Sequence, residues 1–293
     1  MKKFLCFILG FLCCLFIILS IDIKHKHQYY KLKNNINENT ILKNETIKIS
    51  IPIESTMVPQ GFNILNNYFI FSSYDYQEKE NSVIYVTNNQ GNIINKCKLD
   101  IIAHVGGIAY SKTRKSLFVA ANGGYINEYS IVDILSKNQA KNINSYNVGY
   151  KLFNYRNKNF NEVSFLTIHN NKLYLGSFSL LNKGLMKVYN LDKDLTYIQE
   201  FTIPNKVQGV SFYKDKIIFS LSYGRNNPSY IVLCDFNDNF NYKKSKKKVY
   251  QIDPMSEQIA VYNDTLLVTF ESGSKLYYNC YKKNQMIQKI NLV

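Results

Sequence analysis

The chain has 293 residues, of which 46% are hydrophobic and 14% aromatic, and this composition is ample for one sizeable hydrophobic core. Its formal net charge is +15, but the basic residues are scattered rather than gathered on a helix, and we therefore disfavour nucleic-acid binding. The six cysteines show no paired spacing, so they predict neither a disulfide framework nor a CxxC metal site.

The N-terminal segment is predicted to anchor the chain in a membrane. Residues 4–21 form an uncharged, apolar stretch that follows Lys2 and Lys3. A helix of this length reaches roughly 27 Å, near the thickness of the hydrocarbon layer. The stretch ends in Leu19-Ser20-Ile21, a poor cleavage site, which favours an uncleaved signal anchor (1–21) over a cleaved leader. We predict that the folded domain lies outside the cytoplasm; the alternative is secretion after cleavage.

Residues 22–55 are predicted to be a linker. Up to about residue 45 they are polar and lack hydrophobic periodicity, whereas residues 46–52 read as a strand. The folded domain is predicted to span residues 56–293. Within it, the dense basic run of residues 243–248 lies between two strand-like segments and is interpreted as a solvated loop.

Five copies of one short pattern follow, each with a small or polar start, an apolar run, a turn and a second apolar run. The copies begin at Gln60, Gly106, Ser164, Gln208 and Glu257. In four copies the turn carries a residue that tolerates the positive φ of a tight hairpin, namely Asn67, Asn171, Asp215 and Asp264. The second copy has a longer turn at residues 112–115.

Each second apolar run carries a small residue at the same position: Ser72, Ala120, Gly176, Ser220 and Thr269. A small side chain is needed where neighbouring sheets converge on the axis of a closed ring. The spacing of the copies leaves room for four short strands each. The sequence therefore predicts an all-β, five-bladed β-propeller, with six blades as an alternative. Residues 46–52 or the C-terminal residues 286–293 are expected to complete the last blade.

From about residue 56 to the end, this pattern resembles the β-propeller superfamily that includes YVTN-repeat, NHL-repeat and gluconolactonase-like proteins. A literal Tyr85-Val86-Thr87-Asn88 occurs once, in a third strand-like segment. The resemblance to gluconolactonase-like propellers implies calcium in the central channel. No family-specific catalytic signature carries over.

One face of the predicted ring collects most of the polar and aromatic candidates, because first strands begin and second strands end at the same edge of each blade. The first-strand starts supply Gln60, His104, Glu162, Gln208 and Glu257. The second-strand ends supply Tyr74, Asp75, Asn122, Phe178, Tyr223, Arg225 and Glu271.

Three interpretations of this face remain open. In the first, Gln and Glu side chains only bond the backbone of neighbouring blades. In the second, the face binds a ligand through the set Gln60, Tyr74, Asp75, Asn122, Phe178, Gln208, Tyr223 and Arg225. In the third, Glu162, Glu257 and Glu271 hold calcium, since carboxylate oxygens are ligands that this ion prefers.

The sequence leans away from an enzyme. His104 is the one candidate general base, and no Ser or Cys has a nucleophile context such as GxSxG. We therefore predict a membrane-anchored, extracytoplasmic propeller that binds a cell-envelope polymer, a small molecule or a protein. The alternatives are a calcium-dependent hydrolase, lactonase or lyase acting at the channel mouth, and a purely structural or protein-interaction domain.

Overall fold

Short antiparallel sheets make up the folded part of the chain. The computed structural model describes residues 10–11, 13–17, 19–20, 49–149, 163–180 and 183–292. Blade 1 contains β1 (Met57–Leu65), β2 (Tyr68–Asp75), β3 (Val83–Thr87) and β4 (Ile93–Lys98). Blade 2 contains β5 (Ile108–Ser111), β6 (Ser116–Ala120), β7 (Tyr125–Ser130) and β8 (Asn142–Asn147), with helix α1 (Ile131–Ser136) between the last two strands.

The remaining blades follow in chain order. Blade 3 contains β9 (Phe165–His169), β10 (Lys172–Gly176), β11 (Gly184–Asn190) and β12 (Tyr197–Ile203). Blade 4 contains β13 (Val207–Tyr213), β14 (Lys216–Leu221), β15 (Ser229–Asp235) and β16 (Lys247–Ile252). Blade 5 contains β17 (Ser256–Tyr262), β18 (Thr265–Phe270) and β19 (Gln288–Asn291).

The first strands of the blades form a closed ring. Strand β1 contacts β5 and β17, and β13 contacts β9 and β17. Because β5 also contacts β9 directly, no further blade stands between blades 2 and 3. The chain is therefore a five-bladed β-propeller, as the repeat predicted, and the six-bladed alternative is wrong.

Apolar side chains fill the spaces between neighbouring blades, so the core is distributed around the ring. The predicted column of small residues is buried where those blades converge: Ser72, Ala120, Gly176, Ser220 and Thr269. Ser72 shows why size matters there, since its hydroxyl donates to the Val105 carbonyl of the next blade at 2.7 Å. The predicted small column is confirmed.

The hairpin turns follow the prediction in part. Asn171 and Asp264 have φ of 56° and 59°, as the tight turns require. In blades 1 and 4 the positive φ falls one residue earlier than predicted, at Asn66 (51°) and Lys214 (51°). The residue type therefore predicted where these turns lie, but not always which residue of the turn has the positive φ.

Both ends of the folded domain contribute to the closing blade. Strand β19 is its third strand, and residues 49–51 pair with residues 285–287 just before β19. The Ile51 amide donates to the Gln285 carbonyl at 2.9 Å, and the Ile287 amide donates to the Ile49 carbonyl at 3.0 Å. The two predicted closing segments therefore act together, and their pairing joins the ends of the ring.

The predicted anchor remains a prediction. Among the described residues, no helix is both long enough and apolar enough to cross a bilayer. Residues 10–11, 13–17 and 19–20 are helical. The other residues of the 4–21 segment and the linker up to residue 48 lie outside the described part of the chain.

Candidate functional site

The face on which first strands begin is called here the mouth, and β-bulges shape it. The pairing register shifts between Pro59 and Phe62, between Val207 and Gly209, and between Ser256 and Ile259. A bulge breaks the alternation of a strand and re-aims the side chains within it. The residues concerned are Gln60, Gln208, Glu257 and Gln258, so in three blades the bulge coincides with the residues of the mouth.

Gln258 closes the centre of the ring. Its side-chain amide donates to the carbonyls of Ile108 (2.7 Å) and Leu166 (3.2 Å). Its side-chain oxygen accepts from the amides of Phe62 (3.1 Å) and Ile108 (2.9 Å). One buried side chain from blade 5 therefore bonds the backbones of blades 1, 2 and 3, and it forms the floor of the mouth.

Glycine in the other blades makes room for this contact. A Cβ on Gly61 would lie 3.1 Å from the Gln258 side-chain oxygen, and one on Gly209 would lie 2.7 Å from the Gln258 Cα. A Cβ on Gly107 would lie 2.6 Å from the Leu166 amide nitrogen. Because these neighbours include backbone atoms, the first strands can approach this closely only without a side chain.

Two carboxyl groups lie together above this floor. The side-chain amide of Gln60 donates to Glu271 Oε2 at 2.8 Å, and that of Gln208 donates to Glu257 Oε1 at 3.3 Å. The carboxyl groups of Glu257 and Glu271 lie close enough that each shifts the pKa of the other. Tyr277 lies beside them and favours the charged form of Glu271. The pair thus connects blade 5 to blades 1 and 4.

The electrostatics of the pair follow from its burial. Burial, and then the neighbouring carboxylate of Glu271, hold the pKa of Glu257 well above its ordinary value. Burial also raises the pKa of Glu271 to about 6, although hydrogen bonds from Tyr277 and Gln60 favour its charged form. Two buried carboxylates this close cannot both ionise at low cost, so the pair retains a proton near neutral pH.

Aromatic and cationic side chains on the same face form a rim, defined as Tyr74, His104, Phe178, Tyr223, Arg225 and Tyr277. The rings of Tyr74 and His104 lie 4.4 Å apart, and those of Phe178 and Tyr223 lie 6.5 Å apart. The Arg225 guanidinium lies 5.2 Å from the centre of the Tyr277 ring. The pKa of His104 is lowered because surrounding protein desolvates its charged form, although the side chain itself remains accessible to solvent.

Arg225 is held in place at this rim. One guanidinium nitrogen donates to Asn279 Oδ1 at 2.5 Å, and the Cys280 thiol donates to the Arg225 carbonyl at 3.0 Å. These bonds tie the β14–β15 connection to the β18–β19 connection. The arginine is therefore positioned over the mouth by two loops of different blades.

Two other predicted residues have local roles. The Asp75 carboxylate accepts hydrogen bonds from the amides of Gln77 (3.2 Å), Lys79 (2.9 Å) and Glu80 (3.0 Å). Burial alone would raise the pKa of Asp75, but these bonds and one from Thr56 lower it to about 2. Asn122 is exposed, and its side-chain amide donates to the Ile102 carbonyl at 2.8 Å. Asp75 thus organises the β2–β3 loop.

The calcium alternative rests on fewer ligands than expected. Glu257 and Glu271 come together, but Glu162 lies outside the described residues. Within the described part of the chain, no three or more His, Cys, Asp or Glu side chains converge as a metal site requires. Calcium binding stays a prediction.

Sequence reasoning missed Gln258 and Tyr277. The signal for Gln258 was present, because the same position in blades 1, 2 and 4 holds Gly61, Gly107 and Gly209. One large polar residue among small ones indicates a side chain that occupies the shared centre. Tyr277 lies in the 3₁₀ turn Lys275–Tyr277 of a long connection and carries no repeat signal.

No protein-family model matches the chain, and no curated protein matches it. The WD40 β-propeller domain of Doa1 is similar in structure, with 11% identity, a TM-score of 0.42, and coverage of 84% of this chain and 69% of that chain. The β-propeller domain of Cps50 (Swd1) from Myceliophteria thermophila has 8% identity, a TM-score of 0.42, and coverage of 77% and 66%. Nothing in these comparisons supports the YVTN-repeat, NHL-repeat or gluconolactonase-like families. The assignment to the β-propellers rests on the sheet topology.

Proposed function

We propose that this propeller is a binding module that holds a segment of a partner protein against the rim of the mouth. The observation that carries the proposal is the rim itself, in which the Tyr74 ring packs against that of His104 and Arg225 lies over Tyr277. Tyrosine and arginine dominate the binding energy of many protein interfaces, because they combine large apolar surface with a polar end.

The contacts that close the ring involve only some of the residues at the mouth. Gln258 and the bonds of Gln60 and Gln208 to the acidic pair hold blades together, which fits the structural interpretation. The rim lies outside that set. Tyr223 and Arg225 are partly exposed on the loop between β14 and β15. Their exposed surface can therefore contact a partner protein.

The test compares two matched double variants of the full chain by proximity labelling in the native cell. Tyr223→Ala with Arg225→Ala removes one ring and one positive charge from the rim. Tyr197→Ala with Lys193→Ala removes the same groups from exposed positions at the opposite ends of the strands. We expect the rim variant to lose specific protein neighbours that the control keeps. If both variants keep the same neighbours as the unaltered chain, the rim is not the binding site.

We also propose that residues 4–21 anchor the propeller in a membrane with the domain outside the cytoplasm. The support is the uncharged apolar stretch that follows Lys2 and Lys3. Phe11→Lys with Leu15→Lys should move the chain from the carbonate-resistant membrane fraction to the soluble fraction. An unchanged distribution would count against the anchor, and protection of the domain from external protease would count against its location.

A further inference from the structure

The connection between β18 and β19 carries an exposed turn next to the rim. The Cys280 amide donates to the Tyr277 carbonyl at 3.0 Å, so residues 277–280 form a tight turn with Tyr278 as its second residue. The backbone of Tyr278 has φ −55° and ψ −27°, close to the values of a type I turn at that position. Tyr278 is 75% exposed, more than any other large hydrophobic or aromatic side chain in the described part of the propeller. This side chain therefore adds little to the packing of the fold.

Hydrogen bonds hold this turn at both ends. Before it, the Tyr277 amide donates to the Ser274 carbonyl at 3.3 Å. After it, the Cys280 thiol donates to the Arg225 carbonyl at 3.0 Å. Within it, Asn279 Oδ1 accepts a hydrogen bond from the Arg225 guanidinium at 2.5 Å. The exposed tyrosine thus projects from a fixed backbone, and this backbone has little conformational freedom to lose on binding.

A second exposed tyrosine follows on the same connection. Tyr281 is 64% exposed, and it is separated from Tyr278 by two residues, of which Cys280 is buried. The next residue, Lys282, forms an ion pair with Asp253 at 2.7 Å. Because Asp253 lies between β16 and β17, this contact ties the connection to the segment that joins blades 4 and 5. The second tyrosine is therefore also placed beside an anchored residue.

The surroundings of the tyrosine turn, defined as residues 277–282, are positively charged. Residues 272–293 include no Asp or Glu. Lys275 and Lys283 flank the turn in the sequence and are exposed, and within the described residues neither forms an ion pair. Glu271, the nearest acid that precedes the turn in the sequence, is buried. The exposed surface here therefore combines two tyrosines with positive charge that no neighbouring acid balances.

We propose that Tyr278 inserts into an apolar pocket of a partner protein, and that acidic side chains of the partner border this pocket. The proposal rests on the binding function proposed for the rim, because the tyrosine turn continues that surface through Tyr277 and Arg225. A tyrosine buries a large ring at a low cost in side-chain entropy, since it has only two side-chain torsions. Lys275 and Lys283 favour an acidic partner and select against a basic one, because like charges repel across an interface.

The first experiment places a photoreactive group at the tip of the turn. Tyr278 is replaced with p-benzoylphenylalanine in the full chain, and cross-linking is carried out in the native cell. The matched control carries the same group in place of Tyr197, which is 50% exposed at the start of β12 in blade 3. We expect one discrete protein adduct from position 278 that position 197 does not give. Mass spectrometry should place the cross-link in an apolar site of the partner that Asp or Glu side chains surround.

The second experiment reverses the charge around the turn. Lys275→Glu with Lys283→Glu, in the chain that carries the photoreactive group at position 278, should reduce the adduct by roughly tenfold, because acidic groups on both sides then repel each other. The control, Lys112→Glu with Lys115→Glu, makes the same change at exposed positions in a turn of blade 2 and should leave the adduct nearly unchanged. Equal reduction by the control would show that overall charge decides, and it would overturn the proposal.

The outcomes separate the tyrosine turn from the rim. If Tyr223→Ala with Arg225→Ala loses protein neighbours while position 278 gives no adduct, the rim binds a partner without the turn, and only the inference about Tyr278 is wrong. If position 278 keeps its adduct in that double variant, the turn binds and the rim is not required. Cross-links from position 278 to lipid, or to a second copy of this chain, would overturn the inference as well.

Discussion

Replacement of Gln258 with methionine tests whether one side chain closes the centre of the propeller. Methionine keeps the length and volume of the side chain but removes its polar atoms. Four hydrogen bonds to main-chain groups of Phe62, Ile108 and Leu166 are lost. At about 1 kcal/mol each, the expected loss is about 4 kcal/mol in the free energy of unfolding. This is a large share of the roughly 5–15 kcal/mol that is typical of folded domains.

The assay is urea unfolding followed by tyrosine fluorescence and circular dichroism. Gln77→Met, at an exposed position in the β2–β3 loop, is the matched control and should change stability by less than about 0.5 kcal/mol. Gln258→Ala should cost more than Gln258→Met, because it adds a cavity to the lost hydrogen bonds. A loss below about 1 kcal/mol for Gln258→Met would refute the reasoning.

Three further predictions concern buried contacts within and between the blades. Because the pKa of Glu271 is raised from 4.5 to about 6, its contribution to stability is greatest below pH 4.5 and is lost as the pH rises through 6; Glu271→Gln removes the titrating group and should flatten this loss, about 2 kcal/mol, in melting curves measured across that range. Gly209→Ala should destabilise by about 1–3 kcal/mol in urea, because the new Cβ would lie 2.7 Å from a backbone atom of blade 5. Arg114→Met should cost about 3 kcal/mol by the same assay, since it leaves the buried Glu128 carboxylate without its 2.6 Å ion pair; an unchanged midpoint would contradict this expectation.

The architecture could be predicted because the patterns that specify it involve residues close together in the sequence. Four of the five blades repeat a hairpin whose turn contains Asn or Asp, and the second strand of every blade carries a small residue, such as Ser72 or Ser220. Alternation and turn chemistry depend on neighbours in the chain, so they survive in a single sequence. The closed ring of five blades could therefore be predicted from the number of repeats and from the small residue at the same position of each second strand.

The floor of the mouth could not be predicted in the same way. Gln258 bonds residues that lie between 92 and 196 positions away in the chain, and a β-bulge re-aims its side chain. Strand alternation fails at a bulge, so the face on which each residue lies could not be read from spacing. Asp75 ends β2 at the mouth, as its position in the repeat predicts, but its carboxylate accepts hydrogen bonds from the backbone of its own loop.

The acidic pair lies at the seam of the propeller, and this position links its charge to the stability of the ring. Blade 5 is the blade that the two ends of the domain complete, and it supplies both carboxyl groups. Glu271 bonds blade 1 through Gln60, and Glu257 bonds blade 4 through Gln208. Ionisation of the second carboxyl group would place two like charges side by side in the closing blade. Arg225 is one of the groups that lower the pKa of Glu271, so a partner that draws Arg225 away from Glu271 would favour proton uptake by the pair. Protonation of the pair would in turn favour binding of such a partner, because linkage between two sites is reciprocal.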